Sequence, residues 1–317
     1  RTRANGALRA GRAPDVTGWL VLCVLGAPLV FAAGYVAGPR LTARYEATAW
    51  AARLREARAQ ADRTLGGVGS FVLFYGAGAF LVTAVCLPLG EVWQRLEAPH
   101  DVPVFELVAR TVEPGAWTDA MKLVTQSGNV WQTRIVGLVG ALVLMAMARS
   151  RRWVPPVLIG TTILVEKYQQ AALGALVDRG HPPTTLGTYP SGGCARLISI
   201  YGAIVFLLLA YTGAGRRARA SAWALLAAFA FVEGYTRVYL NKHWITDVYG
   251  GWVYGYLLLG VVVFAGRSLL GDGTDAAGQG SRGRSKSRMR AIRRNSRADS
   301  MVTFQRVSPT GVSGDSK

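Results

Sequence analysis

The chain has 317 residues, of which 51% are hydrophobic and only 17% are charged. This composition is too apolar for soluble domains of that length and indicates an integral membrane protein. Lysine and arginine outnumber aspartate and glutamate by 36 to 18, a formal charge of +18, which favours an anionic partner such as lipid or nucleic acid. Three cysteines without metal-ligand spacing argue against a disulfide framework or a zinc site.

Seven apolar segments follow one another along the chain. Most approach the roughly 20 residues that cross a hydrocarbon core of about 30 Å, and so many favour a helical membrane bundle over buried strands. We therefore predict an all-α integral membrane bundle, with a six-span core at 65–268 preceded by one N-terminal apolar segment. The segments are 16–38, 65–89, 135–148, 153–177, 195–213, 221–235 and 248–266.

Basic residues concentrate in alternate connections between these segments, and the positive-inside rule places such connections in the cytoplasm. The connections 90–134 and 177–195 and the turn near His243 then face outward, in the plasma membrane. The same alternation puts the basic N-terminal tail, 1–15, outside, so either the first segment does not span or later helices set the orientation. The basic residues are Arg40, Arg44, Arg53, Arg55, Arg58, Arg63, Arg149, Arg151, Arg152, Arg216, Arg217 and Arg219.

Two basic segments lie outside the predicted spans. Residues 40–64 contain no proline or glycine and predict a helix on the cytoplasmic surface, which together with the first span forms an N-terminal region at 16–64. Residues 269–317 predict a disordered cytoplasmic tail whose arginines either bind anionic membrane lipids or are simply solvated. We do not expect nucleic-acid binding, because the charge lies on a tail and not on a folded face with interleaved aromatics.

The chemically informative pair is His243 and Asp247. Their spacing of four residues places both side chains on one face of a helical turn. An aspartate that accepts from one ring N–H leaves the other nitrogen more basic, as a nucleophile or general base requires. Arg237 adds a guanidinium suited to phosphate. A purely structural His–Asp pair is the alternative.

Two further motifs precede this pair. Pro190, Ser191, Gly192 and Gly193 stand immediately before an apolar run. Free N–H groups at such a helix start either bind an anion or donate to the side chain of a simple N-cap. Earlier, a turn rich in glycine and proline ends a span with Arg179 and His181.

Together the three motifs resemble the type 2 phosphatidic acid phosphatase and vanadium haloperoxidase superfamily, whose pattern is Lys-x6-Arg-Pro, Pro-Ser-Gly-His and Ser-Arg-x5-His-x3-Asp. The third motif matches at Arg237, His243 and Asp247, with Thr236 replacing serine. The second matches until Gly193, which stands at the histidine position. In the first, His181-Pro182 occupies the Arg-Pro position, Gly174 replaces the lysine, and Arg179 matches an additional arginine two residues before that position. The resemblance covers about 65–266.

The resemblance implies hydrolysis of a lipid phosphate or a polyprenyl diphosphate at the external face, without metal or cofactor. His243 would attack phosphorus to form a phosphohistidine, and Asp247 would orient the ring. The phosphoryl oxygens would be held by Arg237, Arg179, Ser191 and Gly192. Neutralising the charge of the phosphoryl group is the main catalytic effect in such transfers.

The departures from the pattern remove one cation and the expected general acid. Loss of the general acid alone is an effect of roughly 10²- to 10⁴-fold in rate. We hypothesise that His181 replaces the acid and that Arg196 or Lys167 restores positive charge. A diphosphate would need less help from an acid, because its leaving group is already acidic.

Two other functions stay open. Because Gly174, His181 and Gly193 occupy family positions, the chain could instead be an inactive relative that binds a phosphorylated lipid or scaffolds membrane partners. A transporter or channel has support only from Glu166 and Lys167 within a span, where structural pairing is the simpler interpretation. The lipid tail and the oligomeric state stay open.

Overall fold

The computed structural model describes residues 16–183 and 187–271. The predicted N-terminal tail and nearly all of the predicted C-terminal tail lie outside the described residues, so the binding of anionic lipids by that tail stays a prediction.

Ten α-helices make up the described part of the chain. The second motif opens a continuous helical run, Gly192–Tyr211, in which a π-helical turn separates α7 from α8. The helices are α1 Val16–Glu46, α2 Ala49–Arg95, α3 Val102–Thr111, α4 Ala116–Val124, α5 Val130–Met147, α6 Val154–Val177, α7 Gly192–Arg196, α8 Gly202–Tyr211, α9 Arg216–Tyr239 and α10 Ile245–Leu270.

The all-α membrane bundle is confirmed, because all seven predicted apolar segments lie in helices. Two of them are less apolar than the rest: α6 contains Glu166 and Lys167, and α9 begins with arginines and contains Glu233. Five helical segments of the described chain are long and apolar enough to cross a membrane, namely Thr17–Glu46, Ala49–Arg95, Val130–Met147, Gly192–Tyr211 and Ile245–Leu270.

The predicted single helix over 40–64 is wrong in its bounds. Residues up to Glu46 continue α1, and α2 begins after Thr48, whose hydroxyl accepts the N–H of Ala51 at 3.1 Å as an N-cap. The basic stretch then ends at Gly66, whose φ of +70° interrupts α2 before its apolar part. A glycine adopts this left-handed value without the strain that a side chain would add.

Close packing of α10 places the second motif beside the third. A β-carbon at Gly255 would lie 3.1 Å from the Cα of Ala195, and one at Gly251 would lie 3.1 Å from the Cβ of Cys194. Small residues let helix backbones approach closely in membranes, where apolar side chains gain little from leaving lipid. Large apolar side chains accordingly remain on the outer surface, for example Phe80, which is 77% exposed.

Candidate active site

The three motifs meet at one end of the bundle, where α6 and α9 end and where α7 and α10 begin. The backbone N–H of Ser191 donates to the carbonyl of Asp247 at 2.9 Å and ties the second motif to the third. The arginine-rich connections at 149–152 and 216–219 lie at the opposite ends of α6 and α9. The site and the main basic clusters are therefore separated by the length of the helices.

His243 lies in the connection between α9 and α10, and its Nδ1 is 3.6 Å from Oδ2 of Asp247. Only 10% of the histidine side chain is exposed, and the aspartate is fully buried. Oδ2 also accepts the backbone N–H of Trp244 at 3.2 Å, which fixes the carboxylate at the start of α10. Nδ1 therefore faces Asp247, but 3.6 Å is beyond hydrogen-bond distance, and Nδ1 has no hydrogen-bond partner among the described residues. The predicted hydrogen bond between the two stays a prediction, and Nε2 is the ring nitrogen that points away from this contact.

Burial and neighbouring cations favour the neutral form of His243. Burial lowers the pKa of His243 from its ordinary value, and the cations of Arg237 and Arg196 act in the same direction, whereas Asp247 opposes the shift. A neutral imidazole is the form that can act as a nucleophile or base.

Arg179, predicted to hold phosphate, is surrounded by carboxylates. Its Nη2 donates to Oδ2 of Asp101 at 2.6 Å, and its Nη1 lies 3.4 Å from Oδ1 of Asp247. Glu97 lies 3.5 Å away and the hydroxyl of Thr246 accepts a bond of 2.7 Å. The guanidinium thus supports Asp247 from the side opposite His243.

The sequence reasoning missed Asp101. Its carboxylate accepts the backbone N–H of Thr246 at 3.0 Å and the Thr246 hydroxyl at 2.6 Å, besides Arg179. It lies among the acidic residues of the connection 90–134, more than 70 residues before its partners, and no local spacing distinguishes it from them.

Arg237 is also held by a carboxylate, Glu233, one helical turn earlier. Its Nε donates to Oε1 of Glu233 at 2.7 Å, and its Nη2 donates to the carbonyl of Thr125 and to Oδ1 of Asn129, both at 3.0 Å. Oε2 of Glu233 accepts the hydroxyl of Ser127 at 3.0 Å. The spacing of four residues on α9 is the signal by which Glu233 could have been found.

Two guanidinium groups cover the two glycines of the second motif. A β-carbon at Gly193 would lie 2.7 Å from Cζ of Arg237, and one at Gly192 would lie 2.7 Å from Nη1 of Arg196. Real β-carbons do not approach other atoms so closely. At Gly193, where the family pattern has histidine, the guanidinium of Arg237 therefore occupies the space that a side chain would fill.

Gly174, which replaces the first-motif lysine, is similarly covered. A β-carbon there would lie 3.1 Å from the carbonyl oxygen of Tyr189 and 3.3 Å from the hydroxyl of Thr188. A lysine at this position would have to move the segment that leads into the second motif.

The predicted general acid lies in a more open place. The side chain of His181 is exposed, and its Nδ1 is 2.9 Å from the carbonyl of Pro182, the next residue. Its role as an acid stays a prediction.

The charges around the motifs are compensated before any phosphate binds. The three arginines of this region, Arg179, Arg196 and Arg237, each pair with at least one acidic side chain: Asp101, Glu166, Glu233, Asp247 or the partly exposed Glu97. A phosphate must compete with these carboxylates for the guanidinium groups. Across 16–183 and 187–271, no group of three His, Cys, Asp or Glu side chains suited to a metal ion is present.

Comparison with known proteins confirms the predicted resemblance. Residues 135–267, which include all three motifs, match the PAP2 superfamily. The fold is similar to the crystal structure of the first transmembrane PAP2 type phosphatidylglycerolphosphate phosphatase from Bacillus subtilis, with a TM-score of 0.51 and 18% identity over 58% of this chain and 93% of that chain. A search of curated proteins finds no significant match. The fold is thus that of a helical membrane bundle similar to this PAP2 type structure.

Proposed function

We propose that the protein is a membrane phosphatase that hydrolyses a lipid phosphate or a polyprenyl diphosphate through a phosphohistidine on His243. The observation that carries this proposal is the buried His243–Asp247 pair, set beside the guanidinium of Arg237 at the end of a PAP2-type bundle.

In the first step, Nε2 of His243 attacks phosphorus, a P–N bond forms and the bond to the leaving oxygen breaks. Asp247 accepts from Nδ1–H, which orients the ring and stabilises the positive charge that it acquires. The leaving oxygen takes a proton, for which His181 is the proposed donor. Water then attacks phosphorus and gives a proton to His181, the P–N bond breaks, the ring of His243 returns to its neutral form and inorganic phosphate leaves.

The phosphoryl oxygens would be bound by Arg237 and Arg196 above the second motif, with Ser191 and Gly192 below. Such binding requires Arg237 to exchange part of its pairing with Glu233 for the substrate. Arg179 remains part of the proposed phosphate-binding site, but indirectly, because its guanidinium offsets the charge of Asp247.

The proposed site faces the outside of the plasma membrane, and the arginine-rich connections and the tail face the cytoplasm. The separation of the site from the basic clusters at 149–152 and 216–219 supports this orientation through the positive-inside rule.

The test is phosphate release by the purified protein in detergent across lipid monophosphates and diphosphates. We expect His243→Ala to abolish release and the matched variant His100→Ala, at an exposed histidine outside the motifs, to retain it. Loss with His181→Ala that is smaller for diphosphates than for monophosphates would support His181 as the acid; full turnover by that variant would remove it from the mechanism.

A second candidate is an inactive relative that binds a phosphorylated lipid. It is favoured by the compensated charges of the site and by Arg237 occupying the place of a second histidine. Near-zero release from the wild type and from all three variants, together with retained binding of lipid phosphate, would favour it over the phosphatase.

A further inference from the structure

A cavity of about 220 Å³, lined by both apolar and charged side chains, lies between α5, α6 and the run Gly192–Tyr211. It adjoins the proposed phosphate-binding site through Arg196, whereas Arg134, Glu166 and Gln170 lie outside the three motifs. Ionisable side chains at membrane depth usually mark a binding site or a pathway. Its polar lining consists of Thr133, Arg134, Glu166, Lys167, Gln170 and Arg196.

Arg196 and Glu166 line the part of the cavity nearest the second motif. Their closest atoms, Nη1 and Oε1, are 3.6 Å apart, beyond hydrogen-bond distance. Glu166 is only 2% exposed, and its Oε1 has no hydrogen-bond partner among the described residues. A buried carboxylate oxygen without a donor is costly, so this atom is suited to accept an O–H from a ligand.

Arg134 and Lys167 line the part nearest the lipid-facing surface. The guanidinium of Arg134 lies 5.4 Å from the ring centre of Trp131, and the ammonium of Lys167 lies 4.9 Å from that of Tyr168. Both rings are mostly exposed on the outer surface of the bundle. Within the described residues, neither cation forms an ion pair, so the cavity has three cations for one carboxylate.

We propose that this cavity binds the phosphate-bearing headgroup of a lipid that approaches between α5 and α6. The excess positive charge lies where the dielectric is low, so an anion gains more from it there than in water. A phosphate also carries the P–OH that Glu166 can accept. A volume of about seven liquid waters fits a headgroup but no acyl chain, which leaves the chain against the outer surface.

Binding is measured on the full-length protein in uncharged detergent, in a His243→Ala background that removes the proposed turnover. The probe is dioctanoyl phosphatidic acid, titrated by calorimetry, with dioctanoylglycerol and inorganic phosphate as separate arms. We expect R134Q/K167Q to weaken binding of the lipid phosphate at least tenfold. The matched variant R216Q/R217Q, which removes two exposed arginines at the other end of α9, should bind normally.

Equal affinity of the two double variants would overturn the site. Equal binding of the neutral lipid would overturn the role of phosphate, and inorganic phosphate that binds as tightly as the lipid would overturn the lipid as its source. Lys167→Gln alone changes only an exposed side chain. If the double variant unfolds, a smaller loss of lipid-phosphate affinity with Lys167→Gln still tests the site. Because the background lacks His243, failure of the proposed phosphatase activity leaves this result unaffected.

Discussion

At the scale of single residues, Asp247 lies close to His243 and to Arg179 through its two carboxylate oxygens. Its Oδ2 faces His243 and the backbone N–H of Trp244, and its Oδ1 lies 3.4 Å from Arg179. The arginine offsets the cost of burying the aspartate as a charge. In the proposed mechanism, the carboxylate of Asp247 stabilises the positive charge that the imidazole acquires.

The first prediction concerns pH. The pKa of His243 is lowered mainly by burial, so the ring stays neutral below the ordinary value of about 6.5. We expect kcat/KM, corrected for substrate ionisation, to fall only as the pH drops through this lowered pKa. The stability contributed by the neutral ring is likewise present above about 6.5 and lost as the pH falls. An acid limb above 6.5 would contradict the prediction.

The second prediction concerns Gly193. An alanine there would push its β-carbon into the guanidinium of Arg237 and disturb the pair with Glu233. We expect Gly193→Ala to lower stability by about 1–3 kcal/mol, the usual cost of overpacking, and to reduce turnover. Gly260→Ala is the control, since nothing lies within 4 Å of a β-carbon at that position of α10. Equal thermal unfolding of the two variants would refute the argument.

At the scale of elements, Asp101 joins a peripheral segment to the end of the bundle that holds the three motifs. The π-helical turn Glu97–Asp101 follows α2 and leads into α3, and its last residue binds the start of α10 through Thr246 and the end of α6 through Arg179. All these groups are buried. Such a link fixes the start of α10, and therefore Asp247, relative to α6.

The third prediction follows from this link. Asp101→Asn removes the charge from a buried pair and leaves Arg179 undercompensated, and breaking such a pair costs about 3–5 kcal/mol. We expect a clear loss of thermal stability together with lower turnover. Asp119→Asn is the matched control, because its pair with Lys122 is exposed and worth about 0–1 kcal/mol. Similar unfolding temperatures for the two variants would count against the proposed link.

At the scale of the whole molecule, the two ends of the helices carry different groups of residues. The motif residues lie at one end, and Arg149, Arg151, Arg152, Arg216 and Arg217 lie at the other. At this second end, Arg151 donates to the carbonyl of Leu269 at 2.8 Å and Ser70 lies 3.2 Å from Ser268 through their hydroxyl groups. These contacts hold the start of α6 and the apolar part of α2 to the end of α10.

The fourth prediction tests the orientation of this axis. The three native cysteines are buried, so a single introduced cysteine reports its own location. A membrane-impermeant maleimide should label Asp119→Cys in intact cells and Arg149→Cys only after permeabilisation. Both positions are exposed, so accessibility within the protein does not separate them. Labelling with the reverse pattern would place the site on the cytoplasmic side.

The sequence by itself determined the membrane-bundle class and the His243–Asp247 pair. Both depend on residues close together in the chain: contiguous apolar stretches in the first case and a spacing of four residues in the second, although His243 precedes the helix that holds Asp247. The tertiary structure alone decided that Asp101 meets Arg179 and that Arg237 fills the space above Gly193. It alone also placed Arg134 and Lys167 in one cavity with Arg196. These contacts arise where separate helices approach within a few ångströms, and the spacing of residues along one chain does not encode that approach.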